Sequence, residues 1–145
     1  MVYAKEIYKG KFIPKNPAKY LGDFNSITYR SSYELKFMNW CDKNSSIQGW
    51  VSEEIAIPYR SPMDNKVHRY FVDFYIEVKE QDGVKKYLIE VKPERFTKPP
   101  KPGKRKYLQE IAQYGVNEAK WKSAMDFCKS QGMEFKIVTE KELGI

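Results

Sequence analysis

Residues 69–92 read RYFVDFYIEVKEQDGVKKYLIEVK. Two runs of alternating apolar and polar residues flank Asp82-Gly83, a dipeptide that strongly marks a hairpin turn. In the first run Val72, Phe74, Ile76 and Val78 fall on one face, with Phe71, Asp73, Tyr75 and Glu77 on the other. In the second, Ile89 and Val91 alternate with Glu90 and Lys92. A two-residue Asp-Gly loop pairs 81 with 84 and sets 73 opposite 92. A four-residue loop pairs 79 with 84 and sets 73 opposite 90. Either register stacks Phe74 and Ile76 on Tyr87, Ile89 or Val91, and either brings Asp73 onto the face of Glu90 and Lys92. A slip of one residue turns the charges into the core, so the hydrophobic pattern opposes it.

The flanking segments build outward from this hairpin. PERFTKPPKPGKRK (93–106) is interrupted by Pro93, Pro99, Pro100, Pro102 and Gly103, and reads as a stiff basic loop leaving the strand end that carries Lys92. KYLQEIAQY (106–114) resumes a helix. NEAKWKSAMDFCKSQG (117–132) predicts another, with Asn117 as cap, Trp121, Ala124, Met125 and Cys128 as apolar stripe, and Gly132 as stop. MEFKIVT (133–139) reads as a last strand, and the strand–helices–strand order implies a right-handed crossover with parallel pairing. Upstream, SSYELKFMNWCDKN (31–44) predicts a helix capped by Ser31, with Tyr33, Phe37, Trp40 and Cys41 on one stripe. EEIAIPYR (53–60) alternates Ile55, Ile57 and Tyr59, and Pro58 assigns it to a sheet edge or strand end. Trp40, Trp50 and Trp121 read as core. Residues 1–28 interleave lysines with Tyr3, Tyr8, Phe12 and Tyr20, plus Pro14 and Pro17, without a period: an extended arm or an irregular cap. The expected architecture is α/β: a mixed central sheet with an antiparallel hairpin, flanked by helices, over residues 29–145, behind a basic N-terminal arm over 1–28.

Composition narrows the function. The chain has 145 residues, 41% hydrophobic and 15% aromatic, which suits one globular domain. No apolar run approaches the ~20 residues that span a bilayer, so no membrane partner is expected. The N-terminus MVYAKEIYKGKFIPK lacks the apolar stretch of a secretory leader. Cys41 and Cys128 sit in helix-like stretches and suit a reducing compartment, cytosol or virion. The net charge of +7 is uneven. Lys5, Lys9, Lys11, Lys15 and Lys19 outnumber Glu6 and Asp23 in residues 1–24. Arg95, Lys98, Lys101, Lys104, Arg105 and Lys106 face only Glu94 in residues 93–106. Two basic clusters around a neutral body point to a polyanion such as nucleic acid; the competing reading is solubility charge. The one histidine, His68, reads as surface and leaves a His-Cys zinc site without ligands. There is no phosphate-cradling Gly-rich Lys-Ser/Thr loop, hence no nucleotide cofactor is expected, and no Gly-x-Ser-x-Gly elbow.

Asp73, Glu90 and Lys92 are the candidate site, open to two readings. Two carboxylates a few ångströms apart repel by about 3 kcal/mol at an effective dielectric near 20. A hard divalent cation relieves that, since Mg²⁺ takes one or two carboxylates plus phosphate oxygens. A lysine beside it can orient a water or stabilise charge developing on phosphorus. The alternative is a solvated surface ion pair of little worth. Glu34 is open in the same way. Ser31 to Glu34 makes a capping box, yet Glu34 shares a helix face with Phe37, Met38 and Cys41 and can point inward.

The order of Glu34 on a helix, Asp73 on a strand, then IEVK with Glu90 and Lys92 resembles the PD-(D/E)XK nuclease superfamily. GKFIPKNPAKYLGDFNSITYRSSYE, IPYRSPMDNKVHRYFVDFYI, IEVKP and NEAKWKSAMDFCKSQGMEFKIVTE resemble, within it, the head-completion nucleases of T-even-like tailed phages, over nearly the whole chain. A more distant similarity is to the endonuclease subunit of Tn7-type transposases. The resemblance implies a restriction-endonuclease-like core and cleavage of DNA phosphodiesters at ends or branches during virion assembly. It implies Mg²⁺, with Mn²⁺ as the alternative, phage head or neck proteins as partners, and a place in the host cytoplasm or the virion. It makes Glu34, Asp73 and Glu90 metal carboxylates and Lys92 the catalytic lysine. Val72 stands where the superfamily's eponymous proline falls. Arg30, Gln113 and Tyr114 become candidate phosphate or supporting contacts, and Arg95, Lys98, Lys101, Lys104, Arg105 and Lys106 the DNA grip. The rival functions are a virion component that binds DNA or portal without cutting, and a transposon or repair nuclease.

Overall fold

The computed structural model describes residues 9–145; Tyr3, Lys5, Glu6 and Tyr8 of the basic arm lie outside the described residues. In chain order the elements are β1 (Gly10–Lys11), β2 (Thr28–Tyr29), α1 (Ser32–Lys43), β3 (Ile47–Ser52), β4 (Ala56–Arg60), β5 (Val67–Phe71), β6 (Phe74–Glu80), β7 (Gly83–Val91), α2 (Tyr107–Gln131), β8 (Glu134–Val138) and α3 (Glu140–Leu143). The central sheet runs β3-β6-β7-β8, with β7 and β8 parallel and the other pairs antiparallel. Ile76, Ile89 and Val91 pack toward Phe37 and Cys41 of α1. Leu88, pointing the other way, packs with Trp121, Ala124 and Cys128 of α2. The helices thus cover opposite faces, as the period-2 alternation of the strands requires. No helix among the described residues is long and apolar enough to cross a membrane.

The hairpin takes the second of the two registers. Phe74 lies opposite Ile89, and Glu80 opposite Gly83, so the turn is Gln81-Asp82 and Asp73 falls across from Glu90. Gly83 closes it at φ +131°, a conformation that disfavours any side chain. The run 69–78, however, is not one strand. It breaks at Val72-Asp73, because β5 pairs with β4 in a separate two-stranded sheet before the chain steps into β6. Val72 consequently packs with Tyr70 on the α2 side, while Phe74 packs on the α1 side, so the two do not share a face. The step is held by Val72 N–H donating to the Ile55 carbonyl (3.0 Å) and Glu53 N–H to that of Asp73 (3.0 Å). Pro58 sits in β4, whose only partner strand among the described residues is β5, consistent with an edge.

The helices bring two corrections, and the segment before them takes the second of its two readings. α1 is capped by Ser31, whose Oγ accepts from Glu34 N–H at 3.1 Å, and it buries Tyr33, Phe37, Met38 and Cys41. Trp40 is 45% exposed and only leans on Phe37 at the rim, ring centroids 5.6 Å apart. The buried indoles are Trp121 and Trp50, the latter in β3, a strand whose Gly49-containing sequence gives no clear alternation. Second, the stretch read as two helices is the single 25-residue α2. Gly115 costs about 1 kcal/mol in a helix interior, which tertiary packing of the Trp121–Ala124–Cys128 stripe outweighs. Asn117 is therefore buried mid-helix and is not a cap; Met125 faces out, and Gly132 ends the helix in the left-handed region. Residues 9–28 are a packed cap. Phe12, Tyr20 and Ile27 join the α1-side core, and the buried Asp42 carboxylate accepts from Lys15 N–H (2.9 Å) and Asn16 N–H (3.0 Å). Cys41 and Cys128 are free and buried, and His68 is an exposed β5 residue beside Asp64.

Candidate active site

Asp73 precedes β6, Glu90 is the penultimate residue of β7, and Lys92 follows that strand, so all three lie at one end of the central sheet. Antiparallel pairing makes the start of one strand meet the end of its neighbour, and this places Asp73 beside Glu90. Glu90 is only 6% exposed. Its Oε1 accepts from the Tyr70 hydroxyl at 2.5 Å, and its Oε2 lies 3.7 Å from Lys92 Nζ. Asp73 Oδ2 accepts from Val91 N–H at 2.8 Å. Removal from water, then the Glu90 and Glu34 carboxylates, push the Asp73 carboxyl well above the ordinary range; the Val91 N–H and Lys92 oppose this without cancelling it. The ion pair is not the solvated surface feature that its spacing allowed. It is a crowded carboxylate cluster with one ammonium at its edge.

Glu34 approaches from α1. Its Oε1 accepts from Arg30 N–H at 3.0 Å, one residue before the cap, so the reciprocal bond of a capping box to Ser31 N–H is replaced by this one. The same carboxylate is close enough to raise the Asp73 pKa. It thus supports the helix start and faces the cluster together. The Arg30 guanidinium forms an ion pair with Glu53. Among the described residues no three His, Cys, Asp or Glu side chains converge into a metal cage by themselves.

Two neighbours were not legible as site residues. Tyr70 fixes one oxygen of Glu90, and its own hydroxyl is pushed up by burial and by that carboxylate. Lys120 of α2 lies over the Tyr70 and Tyr59 rings, 5.6 and 5.8 Å from their centroids. Burial lowers its pKa, partly offset by Glu90, with Lys92 adding to the lowering and Asp73 opposing it. Gln113, Asn117 and Lys120 are spaced four and three apart, one helix face; breaking the helix at Asn117 conceals that stripe.

The basic loop lies alongside. Arg95, Lys98, Lys101, Lys104 and Gln113 line a cleft of about 590 Å³ between the loop and α2. Arg105 and Lys106 lie outside it and are exposed just before the helix. Lys98 also pairs with Glu94 at 3.5 Å.

A mixed sheet with helices on both faces and carboxylates gathered at one strand end defines the restriction-endonuclease-like nucleases. The chain belongs to the TnsA-like endonuclease family, whose N-terminal domain model matches residues 44–140. It is also 41% identical over 143 residues to the "Head completion nuclease" of Enterobacteria phage T4, a match covering 94% of this chain and 93% of that protein. Asp73, Glu90, Lys92 and Lys120 fall inside the family match, whereas Glu34 precedes it.

Proposed function

We propose that the protein is a metal-dependent DNA endonuclease acting in the completion of a phage head, hydrolysing phosphodiesters at DNA ends or branches. The observation that carries this reading is Asp73, held beside Glu90 with its proton affinity raised and Lys92 within 3.7 Å of Glu90. A fold keeps such repulsion where a cation or a reaction repays it. The donors are hard carboxylate oxygens, which fit Mg²⁺ or Mn²⁺ and two protein ligands completed by phosphate oxygens. Asp73 and Glu90 would hold the ion, and Glu34, whose charge reaches Asp73 from α1, would move in to complete the site or add to it. When bound, the ion supplies charge neutralisation and Lewis acidity at the scissile phosphate. Tyr70 holds Glu90 in one orientation, and Lys92 positions the attacking water and stabilises charge on phosphorus.

The loop grips phosphates without reading bases. Lys104, Arg105 and Lys106 immediately precede α2, where the helix dipole disfavours cations; a bound polyanion offsets that cost. Head or neck proteins are the expected protein partners, met in the host cytoplasm during assembly. The test is incubation of supercoiled, linear and branched DNA with Mg²⁺ and with chelator. Asp73→Ala and Glu90→Ala are expected to be folded and inactive. Cutting that persists in chelator, or in either variant, overturns the proposal.

A further inference from the structure

We propose that the cleft between the basic loop and α2 receives an unpaired base of a DNA single strand next to the scissile phosphate; the inference rests on the nuclease reading above. Its volume, about 590 Å³, lies within the ~300–1,000 Å³ range of sites that enclose small ligands. Its lining differs from that of a phosphate track. Phe96 and Tyr114 present aromatic surface, and Gln113 and Asn117 present carboxamides. Phe96 is 38% exposed, and the Arg95 guanidinium lies over it 4.6 Å from the ring centroid.

Asn117 is the second, independent observation. It is 7% exposed in the middle of α2, where a buried carboxamide is costly unless its hydrogen bonds are made. Gln113 Nε2 donates to its Oδ1 at 3.0 Å, which fixes the group. The Asn117 side chain lines the cleft beside that of Gln113. A fixed amide donor beside aromatic surface matches the hydrogen-bonding edge and π-face of a nucleobase. Duplex DNA can offer phosphates and groove edges to the carboxamides, but its stacked bases offer no open π-face to Phe96 and Tyr114. An unpaired base offers both faces and its full edge.

The position connects the cleft to the carboxylates. Phe96 lies four residues beyond Lys92, and Asn117 lies one turn before Lys120, whose charge interacts with Glu90 and Asp73. From Gln113 to Lys120 the helix rises about 10 Å, the reach of a few stacked nucleotides. A strand seated in the cleft therefore runs toward the cluster, with Lys98 at the rim for its phosphates. The DNA favoured by such a site is an end or branch with unpaired bases.

The experiment is fluorescence anisotropy in chelator, with a short oligothymidylate, an abasic strand of equal length and a blunt hairpin duplex. The wild type is expected to bind the oligothymidylate about tenfold more tightly than the abasic strand. Phe96→Ala, at an exposed position, is expected to erase that difference and leave duplex affinity within about twofold. Gln113→Glu is expected to weaken the base-bearing strand more than the duplex. Equal binding of the abasic and base-bearing strands by the wild type, or equal losses on duplex and single strand in Phe96→Ala, overturns the inference. Cleavage assays separate the two readings: Mg²⁺-dependent cutting lost in Asp73→Ala, without base-dependent binding, defeats the cleft alone. Base-dependent binding with no cutting of any DNA defeats the nuclease reading and supports the cleft.

Discussion

Replacing Asp73 by Asn removes one of the crowded charges and keeps an oxygen to accept the Val91 N–H. Two unit charges on the order of 5 Å apart repel by about 3 kcal/mol at an effective dielectric near 20. Lys92 opposes this, so about 1–2 kcal/mol is the expected gain in stability. At roughly 3 °C per kcal/mol for a chain of this size, Tm rises by about 3–6 °C at neutral pH in chelator. The sign with pH follows from the upward shift. The folded state binds the Asp73 proton more tightly than the unfolded chain does, so ionised Asp73 disfavours the fold. Wild type recovers that stability as pH falls through the raised folded pKa, and the advantage of Asp73→Asn shrinks toward acid. Mg²⁺ is expected to raise the Tm of wild type and not of the variant. Melting curves at neutral and acid pH, in chelator and in Mg²⁺, read all of this. A variant that melts at or below wild type at neutral pH in chelator, or an equal metal response in both, refutes the reasoning.

Lys92→Ala is expected to lower cleavage far more than DNA affinity, since it removes one of 26 basic residues; parallel losses make it an ordinary phosphate contact. Glu34→Gln keeps an acceptor for Arg30 N–H, so Tm is expected to stay level or rise slightly while cutting is lost; full activity assigns Glu34 to the helix start alone. Neutral replacements of Lys98, Lys101, Lys104, Arg105 and Lys106 are expected to flatten the log–log salt dependence of duplex binding by roughly 0.9 for each phosphate no longer neutralised, and an unchanged slope shows those charges to be merely solvated. Asp42→Ala leaves the Lys15 and Asn16 N–H groups without their acceptor and is expected to cost about 2–3 kcal/mol in urea melts; a loss below about 0.5 kcal/mol removes the anchoring role.

The parts of this molecule that could be read from its sequence are those written in local periods. Alternation over 74–78 and 87–92 specified a hairpin and put Asp73, Glu90 and Lys92 on one side, because side chains on an extended backbone alternate without regard to the rest of the chain. Ser31 and Gly132 marked helix ends for equally local reasons, an oxygen for a free N–H and a left-handed backbone. Where two local readings competed, packing decided. The turn settled on Gln81-Asp82, the strand broke at Val72-Asp73 to serve two sheets, and α2 ran through Gly115 because its buried stripe continued beyond it. Glu34 was ambiguous for the same reason: a carboxylate in the first turn of a helix is a cap until another element comes near enough to feel its charge. Tyr70, Asn117 and Lys120 left no signal at all, since each acquires its role from side chains on other elements or from a helix face that exists only if the helix is continuous. A period of two or 3.6 residues is a property of adjacent peptide units. The meeting of β5, β7 and α2 around Glu90 depends on burying apolar surface between distant segments, and that is decided only when the whole chain is folded.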